Sequence, residues 1–195
     1  CWQKGGRSNC KQTDPLFTMM EADLHNLTPT VGELNSDRQN FNYGVLPAMP
    51  KLHGACDFKV DFKKRVVEPR DEIKGFLARV YFYMHDRYGM NMSQQQQQLL
   101  MAWDKAYPVS DWELERNRRI TKLMVHSNPF VTGERTWEIG HKNTEEGAQA
   151  FIGLKKFQVS GSIRGNKNSR VYHLPTGCPS YELVSPRNIV EFTSE

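Results

Sequence analysis

The stretch Met20–Asn42, MEADLHNLTPTVGELNSDRQNFN, carries Glu21, Asp23, His25, Asn26, Glu33, Asn35, Asp37, Arg38 and Asn40 with few apolar residues among them. Thr28 is suited to cap a helix whose first residue is Pro29, where the missing N–H is harmless and the fixed φ already fits. From there Val31, Leu34, Asn35 and Arg38 share a face by three- and four-residue spacing. An amide and a guanidinium are therefore expected on the inward face beside two apolar residues. Burying a neutral polar group unpaired costs roughly 2–7 kcal/mol, so this face calls for a metal ion, a phosphate or a buried carboxylate. Asn35 has a rival reading as a buried structural amide. His25, next to Leu24 and near Leu27, reads as a packed core histidine ahead of a ligand or general base.

Upstream, Gly5-Gly6-Arg7 lies between Cys1 and Cys10. An arginine on a tight loop is suited to gripping a phosphate through its fork of donors, and an ordinary surface arginine is the plainer alternative. A Cys1–Cys10 bridge fits the glycine-containing turn, with free thiols left open, because the cysteines Cys1, Cys10, Cys56 and Cys178 allow several pairings. None forms a C-x-x-C pair, which argues against a zinc ribbon or a thioredoxin-type site. Glu21 could bind a divalent ion, since hard cations take oxygen ligands; a helix-end acid paired with a base is the alternative.

Downstream, Gly44, Pro47, Pro50 and Gly54 mark a surface loop. The run CDFKVDFKKRVV at 56–67 alternates Phe58, Val60 and Phe62 against Lys59, Asp61 and Lys63, as a half-buried strand does. From Arg70 to Tyr88 the set Ile73, Phe76, Leu77, Val80, Tyr81, Met84 and Tyr88 repeats at helical spacing, and Gly89 stands at the C-cap position. Ser93 and Gln96 make a capping box for a helix through Leu99, Leu100, Trp103 and Tyr107, which Pro108 closes. Asp111 caps a third helix, Trp112 to Val125, that Asn128 and Pro129 end. These helices are expected to pack through Phe76, Val80, Met84, Leu100, Trp103 and Ile120.

The chain has 195 residues, a net charge of +4 and a mean hydropathy of −0.67. That mild basic excess leans towards an anionic partner. The longest apolar-leaning run, 76–84, is far shorter than the roughly 20 residues a membrane span needs. The chain starts with Cys1 and shows no signal-peptide pattern, and both ends read as cut. Residues 132–164 are polar and glycine-containing and read as a linker. The segment 165–195 reads as a small unit with strands at Val171–His173 and Ile189–Phe192, too short to build its own core.

The strings CWQKGGRSNC, DPLFTMMEADLHNLTPTVGELNSDRQNF, CDFKVDFKKRVVEPR, ARVYFYMHDRYG, WDKAYPVSDWELERNRRI and HSNPFV together resemble the bacterial endonuclease I family of secreted or periplasmic nucleases, in one collinear run over residues 1–131. The resemblance implies an α+β fold, a mainly helical nuclease domain around a ββα-metal core whose first strands lie outside this chain. It also implies nonspecific cleavage of DNA, with RNA as a second substrate, in a periplasmic or secreted monomer with no membrane partner. Mg²⁺ is the implied cofactor, other divalent ions being alternatives. Asn35 is implied as a metal ligand, Glu21 as an acid near the metal and Arg7 as the contact to the scissile phosphate. The family's adjacent Glu-His pair, one residue a metal ligand and the other the general base, falls before Cys1.

The tail, GNKNSRVYHLPTGCPSY and NIVEFTSE, resembles the opening of the Ada-like metal-binding module through Tyr172, His173, Pro175, Cys178 and Tyr181. One cysteine and one histidine do not close a four-ligand zinc site, so zinc is not expected there. Lys59, Lys63, Lys64 and Arg65, and separately Arg116, Arg118 and Arg119, are candidate contacts to a nucleic-acid backbone, with solvated faces as the alternative. The rival function is a nucleic-acid-binding protein without catalysis, in which the tail does the gripping.

Overall fold

The computed structural model describes residues 1–156, 163–169, 172, 173 and 185–192. The chain divides into two compact units, Cys1–Gln149 and Ala150–Glu195. Pro175, Cys178 and Tyr181 lie outside the described residues. No helix among those described is long and apolar enough to cross a membrane.

In the first unit a 3₁₀ turn, Trp2–Lys4, leads into α1 (Gly6–Thr13), α2 (Pro15–Ala22) and α3 (Gly32–Arg38). A small mixed sheet follows, built from β1 (Asn42–Tyr43), β2 (Lys59–Asp61) and β3 (Val66–Glu68) in the order β1-β3-β2. β1 runs parallel to β3, and β2 is antiparallel to it. The alternating run expected as one strand is thus two, because the chain reverses over residues 62–65 and folds β3 back on β2. The inward residues Val60 and Val67 face each other, whereas Phe62 falls in the turn and stays half in water.

The core is helical. α4 (Lys74–Tyr88) is preceded by the 3₁₀ turn Asp71–Ile73 and ends at Gly89, whose φ of 65° closes the left-handed cap. α5 (Gln94–Ala106) starts at Ser93, whose hydroxyl accepts the Gln96 N–H. α6 (Asp111–Met124) is capped by Ser110 rather than Asp111, one residue earlier than the pattern suggested. Phe76, Val80, Met84, Leu100, Trp103 and Ile120 are all buried. α4 and α5 lie close at one point because Gly75 has no side chain: a β-carbon there would stand 2.0 Å from the Tyr107 carbonyl oxygen.

The segment read as a linker is, in its first part, core. After α7 (Pro129–Thr132), Trp137 is buried, stacks on Phe82 at 5.0 Å and donates its indole N–H to Gln97 Oε1 at 3.1 Å. Asp86 on α4, itself buried, accepts from His141 Nε2 at 2.8 Å, from the Thr144 N–H at 2.9 Å and from Arg135 Nη1 at 2.7 Å. The donors of this latch are polar, so the segment's composition mimics a linker although each group is bonded. Gly147, in the first turn of α8 (Glu146–Lys156), lets that helix meet α4: a β-carbon would lie 2.7 Å from the Tyr88 ring.

In the second unit β4 (Ile163–Asn166) pairs antiparallel with β5 (Tyr172–His173) on one side and with β6 (Ile189–Phe192) on the other. The 3₁₀ turn Pro186–Asn188 leads into β6, and its Asn188 carbonyl accepts the Lys167 N–H. The two expected strands are therefore the edges, and the central strand went unread because Arg164, Gly165 and Asn166 carry no strand signal.

Removing the Trp137 ring should leave a cavity that neighbouring rings fill only in part. Trp137→Ala is expected to lower unfolding free energy in urea by about 3–5 kcal/mol.

Candidate active site

The N-terminal helices hold the first two candidate residues together. Cys1 and Cys10 are disulfide-bonded with their Cα atoms 4.9 Å apart, and Asn9 Nδ2 donates to the Cys1 carbonyl at 2.7 Å. Gly5, at φ 151°, makes the sharp entry into α1. Asp14 caps α2 by accepting the Phe17 N–H, and Pro15 occupies the first helical position. This places Arg7 on α1 beside Glu21 in the last turn of α2. Both Nε and Nη2 of Arg7 donate to Glu21 Oε1, and Lys11 Nζ lies 3.1 Å from Glu21 Oε2. Partial burial pushes the Glu21 carboxyl upward, but the hydrogen bonds from Lys11 and Arg7 outweigh it and hold it below the ordinary range. Arg7 remains 65% exposed in its side chain, so its guanidinium reaches solvent while Glu21 fixes its direction.

Asn35 sits differently from the expectation. α3 begins at Gly32 with Val31 as N-cap, three residues after Pro29, and Val31 is 58% exposed. The helix turns less of itself inward than its spacing suggested, and Asn35 is exposed. No hydrogen bond joins Asn35 to Arg7 or Glu21 among the described residues. Arg38 is the group of that face that goes inward: Nη2 donates to Tyr81 Oη at 2.9 Å and Nε to Tyr43 Oη at 3.3 Å. Asp37 accepts from His53 Nε2 at 2.8 Å, which ties α3 to the loop before β2.

Between α2 and α3 lies a buried polar junction that the sequence did not disclose. Asp23 is fully buried; its Oδ2 accepts from Tyr83 Oη at 2.7 Å and Tyr88 Oη at 2.8 Å, and its Oδ1 accepts the His25 N–H at 2.9 Å. Tyr83 has one hydroxyl proton and gives it to Asp23, so it accepts from His126 Nε2–H at 2.8 Å. That fixes the tautomer of His126 and leaves Nδ1 to accept from Arg87 Nη2 at 3.4 Å. His25, fully buried, donates Nε2–H to the His126 carbonyl at 3.1 Å, and its Nδ1 has no partner among the described residues. Arg116 Nη2 then donates to the carbonyls of Leu24, His25 and Leu27. The signals were present in Asp23 and His126, but the junction is completed by Tyr83 and Tyr88, some sixty residues from Asp23 along the chain.

Burial raises the Tyr83 and Tyr88 hydroxyls, a direction that the neighbouring Asp23 charge reinforces. Burial also lowers His25 and His126 from the ordinary value of 6.5, the Arg87 charge adding to the effect at His126. A proton on His25 Nδ1 would be an unpaired donor in the core, which agrees with that direction. His25 is closed to solvent, so its unpartnered Nδ1 lone pair is shielded from outside water.

The basic candidates separate. Arg116 is spent on backbone carbonyls, Lys59 pairs with Glu68 at 3.2 Å, and Arg118 and Arg119 both bond Glu115 at 2.6 and 2.7 Å. Lys63, Lys64 and Arg65 stand exposed in the β2–β3 turn. Among the described residues no group of three or more His, Cys, Asp or Glu side chains could hold a metal ion.

The family model for Endonuclease I matches residues 3–134. The chain belongs to the endonuclease I family. It is 48% identical over 132 residues to an extracellular deoxyribonuclease of Aeromonas hydrophila, a match covering 67% of this chain and 57% of that protein. It is 42% identical over 131 residues to Endonuclease-1 of Buchnera aphidicola subsp. Acyrthosiphon pisum (strain APS), covering 67% and 52%. A more distant relative is an extracellular ribonuclease of Bacillus subtilis (strain 168), 29% identical over 131 residues, covering 56% of this chain and 43% of that protein. The chain thus spans little more than half the length of the first of these relatives. Arg7, Glu21, Asn35 and the Asp23 junction all fall within the matched residues.

Two outcomes follow from the junction. Asp23→Ala strands two tyrosine hydroxyls and a backbone N–H, so chemical denaturation should register a loss of about 3 kcal/mol or more. In the unfolded chain the imidazoles of His25 and His126 take up protons from about 6.5 downward, in the folded chain only at lower pH. Unfolding therefore takes up protons, and the melting temperature should fall as pH drops below 6.5; a melting temperature that rises there would contradict the assignment.

Proposed function

We propose that this chain is part of a nonspecific, divalent-metal-dependent endonuclease that hydrolyses phosphodiester bonds of DNA, with RNA as a second substrate. The observation that carries the reading is the Arg7–Glu21 pair, held on a disulfide-closed helical turn inside the family-matched region. Arg7 has donors directed by Glu21 and still in water, the arrangement that neutralises a phosphate oxygen through a charge-assisted pair. The names of the relatives, extracellular and periplasmic deoxyribonuclease, support DNA as substrate and a compartment where a disulfide persists.

Asn35 fits a metal ligand in chemistry: its amide oxygen is a hard donor, exposed, and not engaged by another side chain among the described residues. A single amide oxygen is in keeping with Mg²⁺, which uses few protein ligands and takes water and phosphate oxygens for the rest, and Glu21 stands as the acid near the ion. The ion, when bound, supplies Lewis-acid stabilisation of charge on the phosphate. The shared site of Arg7, Glu21 and Asn35 and the ββα-metal core are part of this proposal. So are the family's Glu-His pair, which would fall before Cys1, and the metal-binding-type character of the tail.

In the intact protein, plasmid relaxation should require Mg²⁺ and stop with EDTA. Arg7→Ala should reduce the cleavage rate by about 10²–10³ through loss of one positioned charge. The 195-residue chain alone should cleave near background, since a positioned acid–base group contributes on the order of 10²–10⁴ in rate. DNA binding without cleavage by the intact protein would favour the non-catalytic alternative, and cleavage unaffected by EDTA would contradict the metal.

A further inference from the structure

The turn between β2 and β3 places Phe62 directly before three cations. Asp61 pairs with Val66, which leaves Phe62, Lys63, Lys64 and Arg65 as the tip. This tip is built, not slack. Asp61 Oδ1 accepts the Lys64 N–H at 2.9 Å, and Arg65 takes φ 57°, a left-handed conformation that a side chain adopts at a cost. The Arg65 guanidinium donates to Asn40 Oδ1 at 2.8 Å and lies over the Phe41 ring at 5.0 Å. Phe41, buried, also meets the Phe62 ring edge-on at 6.1 Å.

Phe62 is nevertheless 49% exposed, between the Asp61 turn anchor and three consecutive cations. Lys63 has no ion pair among the described residues, and Lys64 stands 3.9 Å from Asp61. Half a ring left in water contributes little to folding. A flat apolar face fixed beside clustered cations is complementary to a strand whose phosphates alternate with flat bases.

We propose that the tip 62–65 is a nucleic-acid-binding finger in which Phe62 stacks on an unpaired or unstacked base while Lys63 and Lys64 contact the flanking phosphates. Arg65 positions the tip through Asn40 and Phe41. The inference rests on the nuclease reading and adds to it a preference for strands with accessible base faces.

The test is equilibrium binding of the 195-residue chain to a short single-stranded oligonucleotide and to its duplex, followed by fluorescence anisotropy in EDTA across a salt series. Phe62→Leu keeps an apolar contact on Phe41 and has no flat face. It should weaken single-strand binding by about tenfold, as loss of one base–aromatic stack does, with the salt slope unchanged. Phe62→Trp should restore affinity. Replacing Lys63 and Lys64 by alanine should instead lower the salt slope by about 0.7 per lost phosphate contact. Unchanged affinity in Phe62→Leu overturns the finger while leaving the nuclease reading intact. Failure of the unaltered chain to bind any nucleic acid also overturns the finger, and the nuclease reading is then decided by plasmid relaxation with the intact protein.

Discussion

The buried carboxylate of Asp23 fixes where the N-terminal elements meet the core of the first unit. An ionised group without water must have its charge met by hydrogen bonds, and here Tyr83, Tyr88 and the His25 N–H supply them. Both tyrosines project from α4, the helix at the centre of the hydrophobic core. Satisfying Asp23 therefore docks the chain between α2 and α3 onto that core at a fixed place. His126, through Tyr83, brings the end of α6 to the same point.

From that anchor the candidate site inherits its framework. Glu21 precedes Asp23 by two residues at the close of α2, and α3 follows after a loop whose carbonyls Arg116 gathers. α3 has its own ties, Arg38 to Tyr81 and Asp37 to His53. The exposed groups Arg7 and Asn35 are thus carried on α1, tied by the Cys1–Cys10 disulfide, and on α3, tied through Arg38 and Asp37. Such support suits a site that must hold side chains in place without burying them.

The legible parts of the fold were those that local physics decides. The helices at 74–88, 94–106 and 111–124 follow from apolar spacing, from Ser93 and from Gly89, which act within one turn. What stayed hidden depends on distant partners. Pro29 and Thr28 look like a helix start, yet Arg116 draws the Leu24, His25 and Leu27 carbonyls and the helix begins at Gly32. The polar stretch after Phe130 looks like a linker until Asp86 is seen to use its side chains. Arg7, Glu21 and Asn35 were singled out by residue type and placement, with their roles implied by family resemblance, and the Arg7–Glu21 pairing needed the packing of α1 on α2. Lys59 and Arg116, candidate phosphate contacts, have partners within the fold that sequence does not reveal.

The claim that the Asp23 junction anchors the N-terminal elements to α4 is tested most directly by native-state hydrogen exchange at the His25 amide. That N–H is bonded to a fully buried carboxylate. It should exchange as slowly as the amides in the middle of α4, opening only with global unfolding. Exchange at the rate of a surface loop, while α4 stays protected, would show that the segment opens independently and that the junction does not hold the site.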